Sequence, residues 1–127
     1  MVEGFHHAAL AVSDVPSAVS FYEEVLEFRP VGPDDSENTV ETADYFWMKI
    51  KDGEWVNFAD RPDATTDHPG ENDDPHLAFR TTEEEISTVK QRLADRDVEV
   101  RETRTSIYFH DPDDNFLELT HWDGPDE

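Results

Sequence analysis

Residues 107–122, IYFHDPDDNFLELTHW, have the pattern of two β-strands joined by a tight turn. Residues 111–115 carry the turn chemistry, and β-branched, aromatic and aliphatic side chains flank them. Because side chains alternate along a strand, Leu117 and Leu119 are predicted to face the core and Glu118 the opposite side. A carboxylate among apolar neighbours needs a partner, and a bound cation is one. The alternative is a surface glutamate on an edge strand.

The charge of the chain restricts its partners. The 127 residues include 32 acidic and 10 basic side chains, a formal net charge of −22. Such a field repels nucleic acids and anionic membranes, so we expect neither as a partner. Only three of the basic residues are lysines, and this composition resembles that of cytoplasmic proteins from salt-accumulating halophiles. Eight phenylalanines, three tryptophans and three tyrosines in patterned segments favour a folded chain over a disordered one.

The length suggests one domain, residues 1–127, that is large enough for a hydrophobic core. No apolar run is long enough to span a membrane, and the first residues lack the features of a signal peptide. We therefore expect a cytoplasmic protein. The absence of cysteine excludes disulfides and thiolate metal ligands.

The first half of the chain, residues 1–60, is predicted to follow the order β-α-β-β-β. A strand over residues 4–12 leads to a helix capped by Ser13 or Asp14. A short strand near residues 28–31 and a hairpin across residues 51–53 follow. The predicted buried face of the helix consists of Val15, Val19, Tyr22, Val25 and Leu26.

Residues 61–75 show no periodicity and are predicted to form an exposed linker in which His68 is solvated. The pattern then begins again over residues 76–127, with a strand at residues 76–80 and a capping box, Thr82 to Glu85. The buried face of the second helix is predicted to be Ile86, Val89 and Leu93. A strand at residues 98–101 and the hairpin described above complete a second β-α-β-β-β set.

Three residues are predicted to occupy similar positions on their strands. His7, His76 and Glu118 each lie on a predicted strand, on the face opposite the helix-packing side chains. Two imidazoles and one carboxylate are a suitable set for a divalent metal and leave positions for water and substrate. Fe²⁺, Mn²⁺, Zn²⁺ and Ni²⁺ all accept such ligands. For each residue alone, a packed or solvated side chain is the commoner arrangement.

Three motifs resemble the vicinal oxygen chelate superfamily, which includes glyoxalase I, extradiol dioxygenases, fosfomycin-resistance thiol transferases and bleomycin-resistance proteins. They are HHAALAVSD at residues 6–14, SFYEEVLEF at residues 20–28 and FHDPDDNFLEL at residues 109–119. Glu27 and Asp114 stand where the family commonly has glycine. The resemblance implies an α+β fold of two βαβββ modules that form a curved, barrel-like mixed sheet around a metal, usually in a homodimer. It assigns the metal to His7, His76 and Glu118, and His6 to the opposite face.

The resemblance also implies a substrate-binding set of Tyr108, Ser106 and Asn57. Tyr108 and Ser106 match positions that contact substrate in the fosfomycin enzymes, although ordinary strand residues are the alternative. Asn57 stands where glyoxalase I has a fourth ligand, often glutamate, and its neutral amide removes the expected base. Departures from the fosfomycin enzymes are Ala9 in place of threonine, a shortened loop before Ser106 and no arginine after Glu118. His110 is a candidate for the additional histidine of the dioxygenases.

We therefore expect a metal-dependent enzyme that acts on a small substrate through two adjacent oxygens, as a lyase, thiol transferase or dioxygenase. A homodimer with shared active sites is the expected assembly. One alternative is a metal-free ligand-binding protein of the bleomycin-resistance type. Another is a structural or regulatory module in which metal only stabilises the dimer, since a fold alone does not define a function.

Overall fold

The structure, a computed structural model, describes residues 1–63 and 75–126. Its elements follow the order β-α-β-β-β twice. The first set is β1 (His7–Val12), α1 (Val15–Leu26), β2 (Arg29–Pro33), β3 (Tyr45–Lys51) and β4 (Glu54–Asp60). The second set is β5 (Leu77–Arg80), α2 (Glu83–Asp95), β6 (Arg101–Glu102), β7 (Ser106–His110) and β8 (Phe116–Thr120).

The predicted α+β class with two βαβββ modules is confirmed. The strands of the described residues divide between two four-stranded mixed sheets, ordered β1-β4-β3-β2 and β5-β8-β7-β6. The chain forms two compact units, Met1–Thr65 and Thr66–Glu127. Most of the predicted linker, with His68, lies outside the described residues. In the part of the chain that is described, no helix is both long and apolar enough to cross a membrane.

In the first sheet, β4 lies between a parallel and an antiparallel neighbour. Asn57 of β4 is opposite Ala9 of β1 on one side and Trp47 of β3 on the other. Residues directly opposite one another on neighbouring strands project from the same face of a sheet. Ala9, Asn57 and Trp47 therefore share one face.

The second sheet repeats this register. Glu118 of β8 is opposite Ala78 of the parallel strand β5 and Tyr108 of the antiparallel strand β7. Asn57 of the first module and Glu118 of the second thus occupy equivalent positions. The duplication inferred from the sequence extends to the pairing of individual residues.

Helix α1 begins as predicted and buries a slightly different face. Asp14 is its N-cap and accepts a hydrogen bond from the backbone N–H of Ser17. Val19 and Leu26, predicted to be buried, are only half-buried. Ala18 and Phe21, which were not predicted to be buried, are buried instead. The buried residues of α1 are Val15, Ala18, Phe21, Tyr22 and Val25.

Helix α2 agrees with its prediction. The Thr82 side chain accepts a hydrogen bond from the backbone N–H of Glu85 at 3.1 Å and caps the helix. Ile86, Val89 and Leu93 are buried, as expected from their spacing. Beneath them, the sheet contributes the buried side chains Ile107, Phe109, Leu117 and Leu119. Burial of Phe116 and Glu118 as well means that both faces of β8 are covered.

Candidate functional site

The carboxylate of Glu118 is the centre of the candidate site in the second unit. Glu118 is only 9% exposed, so most of its hydration is lost on folding. Its Oε1 lies 2.7 Å from Nε2 of His76, and its Oε2 accepts a hydrogen bond from Oγ of Ser106 at 2.6 Å. An ionised carboxylate only accepts hydrogen bonds, so the tautomer of His76 with its proton on Nε2 is the one that bonds to Oε1. Both carboxylate oxygens are therefore satisfied by protein donors, as a buried charge requires.

His76 immediately precedes β5 and is oriented by aromatic neighbours. Its ring meets that of Tyr108 edge-on at 5.4 Å and that of Phe116 at 5.5 Å. Phe116 also stacks on the ring of His110, with 4.9 Å between the ring centroids. His110 is the candidate for the additional histidine of the dioxygenases, and its described ring contact is with Phe116. These contacts hold the His76 imidazole against the Glu118 carboxylate.

The phenol of Tyr108 lies beside the same carboxylate. Burial raises the pKa of Tyr108 above its ordinary value, and the negative charge of Glu118 raises it further. Tyr108 therefore stays protonated at neutral pH. A neutral phenol next to the site can donate a hydrogen bond to a bound oxygen.

His7 opens β1 in the first unit and is exposed. Its ring meets Trp47 edge-on at 4.9 Å, and its Nδ1 lies 2.9 Å from Nδ1 of His6. His6, whose ring also contacts Trp55 at 4.8 Å, was predicted on the opposite face. That prediction is wrong because β1 begins at His7, so the alternation of a strand does not extend to His6.

Asn57 is buried, with 6% of its surface exposed. Its Nδ2 has no hydrogen-bond partner among the described residues. A buried donor without an acceptor costs about 1–3 kcal/mol, so few such groups persist in folded proteins. The Asn57 amide is therefore a donor available for a further partner.

The structure brings together part of the predicted site. His76, Glu118, Ser106 and Tyr108 lie in contact within the second unit, whereas His7 and Asn57 belong to the first. Within either unit, the described residues include no group of three His, Asp or Glu side chains that could hold a metal ion. The sequence assigned Ser106 to substrate and missed its bond to Glu118. Ser106 lies two residues before Tyr108 on the strand paired with β8, and this spacing indicates that its side chain is on the same face as Glu118.

Comparison with known proteins agrees with this architecture. The profile of the Glyoxalase/Bleomycin resistance protein/Dioxygenase superfamily matches residues 4–119. The metallothiol transferase FosB of Staphylococcus saprophyticus is 30% identical over 126 residues, which cover 94% of this chain and 77% of that protein.

Two solved structures have the same fold. The fosfomycin resistance protein FosX from Mesorhizobium loti aligns with a TM-score of 0.76 and 23% identity, over 96% of this chain and 94% of that chain. A point mutant of FosX from Listeria monocytogenes, complexed with Mn(II) and 1S,2S-dihydroxypropylphosphonic acid, has a TM-score of 0.73 at 23% identity. The alignment covers 94% of this chain and 92% of the Listeria protein. The chain therefore belongs to the glyoxalase/bleomycin resistance protein/dioxygenase superfamily.

Proposed function

We propose that this chain is a divalent-metal-dependent enzyme of the thiol-transferase type, acting on a small substrate through two adjacent oxygens. The observation that carries the proposal is the buried Glu118 carboxylate, with Oε1 2.7 Å from Nε2 of His76. The similarity to a metallothiol transferase supports this reaction type over the lyase and dioxygenase types. Asn57, which is neutral and stands at the position equivalent to Glu118, offers no second carboxylate base for a lyase reaction.

His7, His76 and Glu118 are the proposed metal ligands. Nε2 of His76 and Oε1 of Glu118 face one another at 2.7 Å, so the same two atoms would be available to hold a divalent cation. A cation would replace the proton that His76 now shares with Glu118. Neutral imidazole and carboxylate suit Mn²⁺, Fe²⁺, Zn²⁺ and Ni²⁺, so the donor set fits the group. When bound, the metal supplies Lewis-acid activation of substrate oxygens.

Tyr108 and Asn57 are the proposed substrate contacts. The protonated Tyr108 phenol would donate to a substrate oxygen beside Glu118. Nδ2 of Asn57, which has no acceptor among the described residues, would donate to an acceptor on the same ligand. Both are donors, and this favours a substrate rich in oxygen acceptors. The ligand in the Listeria FosX complex, a phosphonic acid with hydroxyls on adjacent carbons, has this character.

The proposed assembly is a homodimer in which the opening strand of one subunit completes the site of its partner. Exposure of His7 on β1 is compatible with such sharing. The proposed location is the cytoplasm, where small thiols are maintained in reduced form.

Incubation of the chelator-treated protein with Mn²⁺, fosfomycin and glutathione or cysteine tests the function. We expect thiol consumption and a product whose mass is the sum of both reactants. Glu118→Gln should abolish this activity while the fold is retained. Tight binding of fosfomycin without metal and without turnover would contradict the proposal and favour the sequestering protein.

A further inference from the structure

Ser106 gives the two oxygens of Glu118 different partners. Its hydroxyl donates to Oε2 at 2.6 Å, whereas Oε1 is the oxygen beside His76 Nε2. Both residues are buried, Ser106 at 5% and Glu118 at 9% exposure. A short hydrogen bond to a carboxylate is strong when water is excluded. The carboxylate is thus held in one orientation.

The turn between β6 and β7 holds Ser106 in place. The backbone N–H of Ser106 donates to Oγ1 of Thr103 at 3.1 Å, and the N–H of Thr103 donates to the Ser106 carbonyl at 2.9 Å. Oγ1 of Thr120, which lies opposite Ser106, donates to the Thr105 carbonyl at 3.3 Å. These bonds fix the backbone from which the Ser106 hydroxyl reaches Glu118.

We propose that Ser106 is a positioning residue that makes Glu118 a one-oxygen metal ligand. This inference rests on the proposed role of Glu118 in metal binding. The hydroxyl holds Oε2 at 2.6 Å, so Oε1, which already faces His76 Nε2 at 2.7 Å, is the oxygen placed to meet a cation there. Two imidazoles and one carboxylate oxygen fill about half of an octahedral shell and leave the rest for substrate and water.

A one-oxygen carboxylate also discriminates between metals. Ca²⁺ takes 6–8 oxygen ligands and often binds a carboxylate through both oxygens, whereas smaller cations are satisfied by one. Occupation of Oε2 by Ser106 therefore disfavours Ca²⁺ relative to Mn²⁺. The Ser106 hydroxyl would thus determine metal specificity without contacting the metal.

The test compares Ser106→Ala with Ser106→Thr, which keeps a hydroxyl, and with Ser87→Ala, an exposed serine on α2. The chelator-treated proteins are titrated with Mn²⁺ in molar KCl, which screens the surface carboxylates. Free Mn²⁺ is measured by electron paramagnetic resonance, and Ca²⁺ is then added as competitor. Thr103→Val, which removes the acceptor for the Ser106 N–H, provides a second variant if Ser106→Ala does not fold.

We expect Ser106→Ala to bind Mn²⁺ about 10–100-fold more weakly, the usual effect of losing a group that orients a metal ligand. Its preference for Mn²⁺ over Ca²⁺ should fall, while Ser106→Thr and Ser87→Ala should resemble the wild type. Thr103→Val should show a smaller change in the same direction. If Glu118→Ala loses Mn²⁺ but Ser106→Ala keeps wild-type affinity and preference, the positioning role is wrong and the proposed function stands. If Glu118→Ala also binds like the wild type, both are wrong.

Discussion

Nε2 of His76 and Oε1 of Glu118 lie 2.7 Å apart although 42 positions separate them in the sequence. The parallel pairing of β5 with β8 brings them together. This contact is a hydrogen bond to a buried carboxylate, and His76 is one of its donors together with Ser106. The same pair thus contributes to stability without metal and is the proposed basis of metal binding.

Replacement of His76 should therefore destabilise the metal-free protein. We expect His76→Ala to lower the free energy of unfolding by about 1–3 kcal/mol, because Glu118 then keeps a buried oxygen without its donor. Urea denaturation in the presence of a chelator measures this change. His7→Ala, which removes an exposed ring, serves as control and should cost less. If both variants lose the same free energy of unfolding, the hydrogen bond from His76 to Glu118 does not contribute to stability.

Replacement by glycine should stabilise the fold at two positions where the backbone is left-handed. Glu27, the C-cap of α1, has φ 61°, and Asp114 has φ 64°. Side chains beyond glycine are disfavoured there, so Glu27→Gly and Asp114→Gly should each stabilise the fold by up to about 1 kcal/mol. Thermal unfolding at high salt is the measurement.

Removal of negative charge must be separated from relief of backbone strain in these two variants. Glu27→Gln and Asp114→Asn remove the same charge. Asparagine tolerates the left-handed region better than glutamine does, so Asp114→Asn should recover part of the gain and Glu27→Gln almost none. If Glu27→Gln stabilises as much as Glu27→Gly, the gain comes from charge alone.

Stability should rise with salt because of the net charge of −22. The screening length falls from about 10 Å at 0.1 M to about 3 Å at 1 M salt, so repulsion among surface carboxylates weakens throughout this range. We expect the melting temperature to increase with KCl into the molar range. A melting temperature that is flat or falls between dilute buffer and molar KCl would contradict the halophilic interpretation.

Much of this architecture follows from periodicity in the sequence. The alternation around Glu118 and the capping box at Thr82 predicted their elements, since each depends on local chemistry. The shared face of Ser106 and Glu118 could be predicted from strand alternation, whereas the hydrogen bond between them could not, because it depends on side-chain rotamers across two paired strands. The position of His6 was missed for a related reason. Alternation gives no information about where a strand begins.

Shared sites should be detectable by complementation. His7→Ala and Glu118→Ala proteins, each unable to bind metal, would be refolded together. If β1 of one subunit completes its partner's site, each mixed dimer has one site with both defects and one intact site. With free mixing, about a quarter of all sites should then bind Mn²⁺. Proven mixed dimers without any recovered binding would exclude the shared arrangement.

The measurement closest to the central claim is the binding of Mn²⁺ to the chelator-treated protein and to its ligand variants, followed calorimetrically in molar KCl. We expect about one tightly bound ion per chain in the wild type, and a large loss of affinity in His7→Ala, His76→Ala and Glu118→Ala. His6→Ala should lose far less affinity than His7→Ala, because His6 contacts His7 through Nδ1 but is not among the proposed ligands. Wild-type affinity in Glu118→Ala, or loss of binding in His6→Ala but not in His7→Ala, would contradict the proposed metal site.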